Sequence, residues 1–267
     1  MNWDIQRRET WLYEANPSLK LIVLVMLFFA VLFIHNPNVL INLSLALFVL
    51  FCFGTGYPAK LLVWLFLPFF LIFVSTASSM MMFGEGTTTW FRWGLIHVTA
   101  ESFWRGMHLG FRALSLGLLG LIFSLTTRPV QLFYSLMQQL KLKPKYAYSF
   151  LAAVRLLPIM IEEFQTVRYA LRVRGVPNRG GLGKVKRYAI PLLAQSIRRA
   201  QRIAVAMEAK QFSNSGQRTF YYEIKFGKCD IWFVVLTVAL LVAAYYAGVH
   251  YPYISVHDVR YAERKGL

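Results

Sequence analysis

Five apolar runs constrain this chain more than any other feature in it. They are Leu19–Ile34, Val39–Phe53, Leu61–Phe83, Phe103–Leu125 and Ile231–Tyr246. A soluble domain cannot hide so much uncharged apolar chain, and in lipid a helix satisfies its own backbone. With 57% hydrophobic and 15% charged residues, composition points the same way. The chain reads as an all-α polytopic membrane protein with about five transmembrane helices. Several runs fall short of the roughly 20 residues of a full span, so their boundaries are soft. Nothing resembling a small-residue cleavage site follows the first run, so it does not read as a removed signal peptide.

Punctuation between the runs is clear. His35-Asn36-Pro37-Asn38 makes a tight turn, and Gly54-Thr55-Gly56-Tyr57-Pro58 ends the second run. Pro68 lies inside the third. A polar and aromatic loop is expected from Gly84 to about His97, with Trp90 and Trp93 suited to a membrane interface.

The net charge of +17 asks for an anionic neighbour. Nucleic acid is one class of partner, but in a multispan protein Lys and Arg gather on the cytoplasmic side. Thr126 to Asp230 holds about 19 Lys/Arg against about 5 Asp/Glu, which makes that segment cytoplasmic. Arg7, Arg8 and Lys20 then put the N-terminus inside as well, and five spans leave the C-terminus outside. No nucleic-acid partner is expected. The expected organisation is a membrane domain over residues 1–125 (four spans), a cytoplasmic domain over 126–229, and a last span with a tail over 230–267.

The basic segment is patterned as helices. Met160, Phe164, Val167 and Leu171 recur at i, i+4, i+7 and i+11. Pro158 suits the start of that helix, with Gly175 and Pro177 at its end. Glu162 and Glu163 would then stand in the first turn, with Arg172 and Arg174 in the last, as the helix dipole prefers. Asn178 through Gly183 reads as a loop. A second helix is expected from about Tyr188 to Phe212, with Leu193, Ile197, Ala200, Ala204 and Met207 on one face and Arg198, Arg199 and Arg202 on another. Ser213-Asn214-Ser215-Gly216 breaks it. Pro129–Leu140 and Tyr146–Leu157 read as shorter amphipathic helices. The result is a helical layer, apolar on one side and basic on the other. It suits either an anionic leaflet or a docking platform on which exposed Arg makes point contacts.

In the fourth run Gly106, Gly110, Ala113, Gly117 and Gly120 permit close helix approach. They serve packing within the protein or a docking face for another membrane subunit. Cys52 and Cys229 imply no disulfide framework, and His35, His97, His108, His250 and His257 form no ligand-spaced pair. The stretch 180-GGLGKVK-186 lacks the spacing of a phosphate-binding loop. No Ser/His/Asp set or carboxylate pair marks a catalytic centre. Glu101, Arg105 and Arg112 are the charges nearest a span, and they form no evident ion pathway.

The run 191-PLLAQSIRRAQRIAVAMEAKQF-212 with Arg218-Thr219, the run 155-RLLPIMIEEF-164 leading to Val173-Arg174-Gly175, and 16-NPSLKLI-22 resemble the transmembrane T component of energy-coupling factor (ECF) importers for vitamins and metals. In that family two long coupling helices each end in Ala-Arg-Gly, and the arginines dock into grooves on two cytoplasmic ATPases. The first motif stands here as Val173-Arg174-Gly175. The second stands as Ala209-Lys210-Gln211 and departs from the pattern at Lys210 and Gln211. Lys keeps the charge without the planar fork, and Gln lacks the easy left-handed cap of Gly.

The resemblance implies a non-enzymatic coupling subunit of an ABC-type importer in a bacterial cell membrane. Its partners would be two ATP-binding-cassette ATPases, a membrane-embedded substrate-binding S component and the bilayer. It implies no cofactor or metal on the chain itself, with ATP and Mg²⁺ on the ATPases. Met160, Phe164, Val167, Leu193, Ile197 and Met207 would support the inter-helix or substrate-subunit contact, their apolar surface allowing the helices to slide. The resemblance leans toward thiamine or a pyrimidine precursor over cobalt or nickel. The alternatives are a permease that binds substrate itself, a membrane-bound enzyme, or a membrane-surface scaffold without ATPase.

Overall fold

The computed structural model describes residues 10–84, 89–93, 96–175, 182–212, 220 and 222–252. Arg7, Arg8, His257, the Ser213–Gly216 breaker and Arg218-Thr219 lie outside them. The chain divides into two compact units, Met1–Arg128 with Lys225–Leu267, and Pro129–Ile224.

The first unit contains α1 (Trp11–Glu14), α2 (Pro17–Phe33), α3 (Pro37–Gly54), α4 (Ala59–Phe83), a hairpin β1 (Thr89–Trp93) and β2 (Ile96–Thr99), α5 (Ala100–Thr126) and α9 (Lys228–His250). The helices α3, α4, α5 and α9 are long and apolar enough to cross a membrane, while α2 is a shorter apolar helix of 17 residues. The protein is a multi-pass helical membrane protein. Where a loop was expected, Thr89–Trp93 and Ile96–Thr99 pair as antiparallel strands. Their aromatic and β-branched residues favour extended backbone. The side chains of Trp90 and Trp93 are outside the described residues.

Local chemistry fixes the helix starts. Asn16-Pro17 and Asn36-Pro37 use one device twice: the Asn side chain accepts from the N–H two residues on, at 3.2 Å from Ser18 and 3.0 Å from Asn38, and Pro takes the first turn. At α5, Thr99 and Ser102 exchange side chain and backbone in a capping box, at 3.1 and 3.0 Å.

The helix α5 is central and packs against α2, α3 and α4. Its Leu118 and Ile122 join Val31, Leu40, Leu43 and Phe51 in the core. Two polar ties fix the α2–α5 register. Lys20, fully buried, donates to the Thr126 carbonyl at 3.1 Å, and Arg112 donates to the Ile34 carbonyl at 2.9 Å. Both steps are 14 residues, so the helices run antiparallel without slip. The helix α5 continues 12 residues past Arg112 to Ala100, about 18 Å beyond the end of α2. The glycines of α5 face α4 within the unit. A side chain at Gly106 would meet the Ala77 carbonyl at 2.7 Å, and at Gly110 the Phe73 ring at 2.9 Å. Gly117 lies against Phe69, whereas Gly120 has open space around it. At the same end as Lys20, Asp230 accepts from the Asn16 N–H at 2.5 Å and the Gly227 N–H at 2.8 Å, tying the start of α9 to the start of α2.

The second unit holds α6 (Pro129–Gln139), α7 (Pro144–Val173) and α8 (Leu182–Ala209). Two expectations are corrected here. The stretch from Tyr146 to Leu157 does not form a separate helix, because α7 continues for 30 residues with Pro158 inside it. Proline's fixed φ fits a helix, and the missing N–H costs one hydrogen bond that a long packed helix can forgo. Glu162 and Glu163 are therefore mid-helix, not first-turn residues. The second helix begins at Leu182, earlier than Tyr188, and takes Pro191 into its interior.

Candidate functional site

The site is built on α7 and α8, which run in opposite directions along each other. Contacts rise along one as they fall along the other: Phe164 with Tyr188 at 5.3 Å between ring centroids, Met160 with Ser196 at 3.1 Å, and Tyr148 with Phe212 at 5.2 Å. At the crossing, Arg199 and Glu163 form an ion pair at 2.5 Å, with side chains 27% and 18% exposed. The second oxygen of Glu163 and Nη1 of Arg199 are buried without a hydrogen-bond partner. The half-buried stripe of α8 is Leu192, Ser196, Arg199, Ile203 and Met207. Leu193 and Ile197, expected on one apolar face with Ala200, Ala204 and Met207, are 60% and 57% exposed, while Met207 is half-buried. Arg199, expected on the outer basic face, lies in the contact. The stripe takes in Arg199 because Glu163 supplies a counter-charge across the contact, and a hydrophobicity pattern alone misses that pairing.

Opposite directions have a geometric consequence. In such a pair, residues one place after each packed position turn to the same side of the pair. Exposed Leu157, Ile161 and Phe164 follow the half-buried Leu156, Met160 and Glu163, and exposed Leu193 and Ile197 follow Leu192 and Ser196. They form one apolar surface. Residues one place earlier include Arg155, Glu162 and Arg198, so the other surface is charged. Met160, Val167 and Met207 are half-buried between these surfaces.

Both motif-bearing ends close alike. At the end of α7 the Gly175 N–H bonds to the Arg172 carbonyl at 3.0 Å, with Gly175 at φ +65°. At the end of α8 the Gln211 N–H bonds to the Glu208 carbonyl at 2.8 Å, with Gln211 at φ +54°, and the Phe212 N–H bonds to the Met207 carbonyl at 3.1 Å. This is the left-handed helix stop that glycine favours. Gln211 makes it despite carrying a side chain. Arg174 and Lys210 occupy equivalent capping positions, and Val173, Arg174, Gly175, Ala209, Lys210 and Gln211 are all exposed.

A clamp near the end of α8 was not foreseen. Phe212 meets Tyr148 edge-on, and Tyr134 lies 6.3 Å from Tyr148 and 5.9 Å from Tyr222 between centroids. Gln138 donates to the Tyr222 carbonyl at 2.5 Å and accepts from the Ile224 N–H at 2.9 Å, holding that extended segment as a strand partner would. The signal was Phe212 following the motif, with aromatics in both shorter helical patterns.

In the membrane unit, Arg112 is held by Ile34 and borders a recess of about 620 Å³ lined by Ser75, Thr76, Ser79 and largely apolar side chains. Among the described residues, no group of three or more His, Cys, Asp or Glu gathers as a metal site.

Comparison with known proteins fits this architecture. Residues 8–222 match the family model of CbiQ, described as cobalt transport protein. The chain is similar to the energy-coupling factor transporter transmembrane protein EcfT of Acidaminococcus fermentans, 26% identical over 243 residues that cover 86% of this chain and 90% of that protein. The protein of the same name from Thermotoga maritima is 27% identical over 248 residues, covering 86% and 87%. That from Limosilactobacillus fermentum is 27% identical over 246 residues, covering 87% and 90%. A helical bundle of apolar spans, a second unit of long amphipathic helices and a match across most of the sequence agree, and the chain belongs to the CbiQ cobalt transport protein family.

Proposed function

We propose that this protein is the transmembrane coupling subunit of an ECF-type importer. It transmits closure of two cytoplasmic ATP-binding-cassette ATPases to a membrane-embedded substrate-binding subunit. The observation that carries this reading is the matched pair of helix ends: Arg174 and Lys210 are exposed cations at equivalent capping positions of α7 and α8. A cation at a helix C-terminus satisfies the local dipole and still offers its remaining donors outward. Each end would take one ATPase. Arg174 would grip carbonyls or carboxylates with a planar fork, and Lys210 would act as a point charge.

The apolar surface of Leu157, Ile161, Phe164, Leu193 and Ile197 is the natural seat for the substrate-binding subunit, and the charged surface faces the cytoplasm. Residues 126–229 work as the coupling domain, between membrane segments 1–125 and 230–267. With the N-terminus and this domain inside, the chain sits in a bacterial cell membrane. ATP hydrolysis, with its Mg²⁺, belongs to the partners, and the substrate, vitamin-like or a metal ion, is selected by the substrate-binding subunit.

Co-expression with ATPase partners tests this. Wild type should co-purify with them and stimulate their hydrolysis, while Arg174→Ala with Lys210→Ala should lose both. Unchanged association in the double variant would refute the assignment.

A further inference from the structure

The ion pair at the crossing has a position as well as a partner. Eleven residues separate Glu163 from Arg174, and eleven separate Arg199 from Lys210. Each arm is about 16 Å of helix, and eleven residues make close to three whole turns. Arg174 therefore leaves α7 near the azimuth of Glu163, and Lys210 leaves α8 near that of Arg199. The pair joins the two helices midway between their motif ends.

We infer that Glu163 and Arg199 are positioning residues that pin α7 to α8, so that the motif ends move by rotation about this point and not by sliding. The inference rests on the coupling role proposed above. Sliding needs a surface with few directional bonds, and this crossing is not one. It carries the ion pair and the Ser196–Met160 contact, both directional, beside buried polar atoms of Glu163, Arg199 and Gln195 that make no hydrogen bond. A slide of one turn would pull these half-buried charges apart and leave each without its counter-charge. A rotation keeps the pair together while the ends swing, because a single short contact on the axis changes little. Equal arms make the displacement of Arg174 match that of Lys210. The Phe212–Tyr148 contact then limits the swing on the α8 side.

The experiment uses the full chain in two settings. Spin labels at positions 174 and 210 of the purified chain, in nanodiscs, report the spread of end-to-end distances. The complex reconstituted with ATPases and substrate subunit reports substrate imported per ATP hydrolysed. Glu163→Gln and Arg199→Gln should each broaden the distance distribution and lower import per ATP about five-fold, an ordinary coupling between neighbouring charges. ATPase co-purification should stay intact, since the motif ends are untouched. The swapped pair Glu163→Arg with Arg199→Glu should recover a narrow distribution and most of the coupling. Single variants with wild-type distance spread and wild-type import per ATP would overturn the pin. So would a swapped pair as broad as the singles. Should wild type bind no ATPase, the coupling role fails by itself, and the distance spread still decides whether the pair pins the helices.

Discussion

Gly175 and Gln211 hold the same backbone position, each the left-handed residue that stops a long helix, α7 or α8, at φ +65° and +54°. A glycine there costs nothing sterically, and a glutamine costs on the order of 1 kcal/mol. The α8 end carries strain that the α7 end does not. Gln211→Gly should relieve it and slow hydrogen exchange at the Gln211 and Phe212 amides several-fold. Gly175→Gln should accelerate exchange at the end of α7. Exchange read by mass spectrometry at the two ends checks both directions.

The α4–α5 seam depends on glycines that face backbone. A Cβ at Gly106 meets the Ala77 carbonyl, which cannot move aside as a side chain can. Gly106→Leu should destabilise the membrane unit by about 3 kcal/mol or prevent assembly. Gly120→Leu, with nothing within 4 Å, should melt like wild type. Thermal unfolding in detergent separates them, and equal melting of the two variants would mean that the seam is looser than the contact distances indicate.

Asp230 uses both carboxylate oxygens on backbone N–H groups, of Asn16 and Gly227. Asp230→Asn replaces one acceptor by a donor that faces a donor. Loss of about 2 kcal/mol is expected for a charged hydrogen bond at a site only 4% exposed. The same thermal assay reads it, with Asp230→Glu as a control for charge.

Much of this was legible in the sequence. The apolar runs marked the spans and the two motifs marked the ends of α7 and α8, whereas Asn36-Pro37 read as a turn and proves also to start α3. Pairing was not legible. Periodicity placed Leu193 and Ile197 on one apolar face and Arg199 on another, and it did not show that Arg199 meets Glu163 between the helices. A hydropathy pattern counts a charge as outward whether or not a counter-charge waits across the interface. Pro158 misled for a related reason: proline reads as a helix start, and only the packing of a 30-residue helix overrides that preference.

The apolar surface gives a separable prediction. Leu193→Asp and Ile197→Asp change exposed side chains and should leave the fold and ATPase binding intact. Association with the substrate-binding subunit should fall at least ten-fold, the result of a charge placed in an apolar contact. Co-purification of each partner measures this, and parallel loss of both partners would argue for a folding defect.

The most direct test of the coupling account is site-specific photo-cross-linking from positions 174 and 210 of the membrane-embedded complex. The account predicts that each position cross-links to an ATPase subunit, and that the yield at both changes together when ATP is bound. Cross-links from either position to lipid alone, with and without ATP, would contradict it.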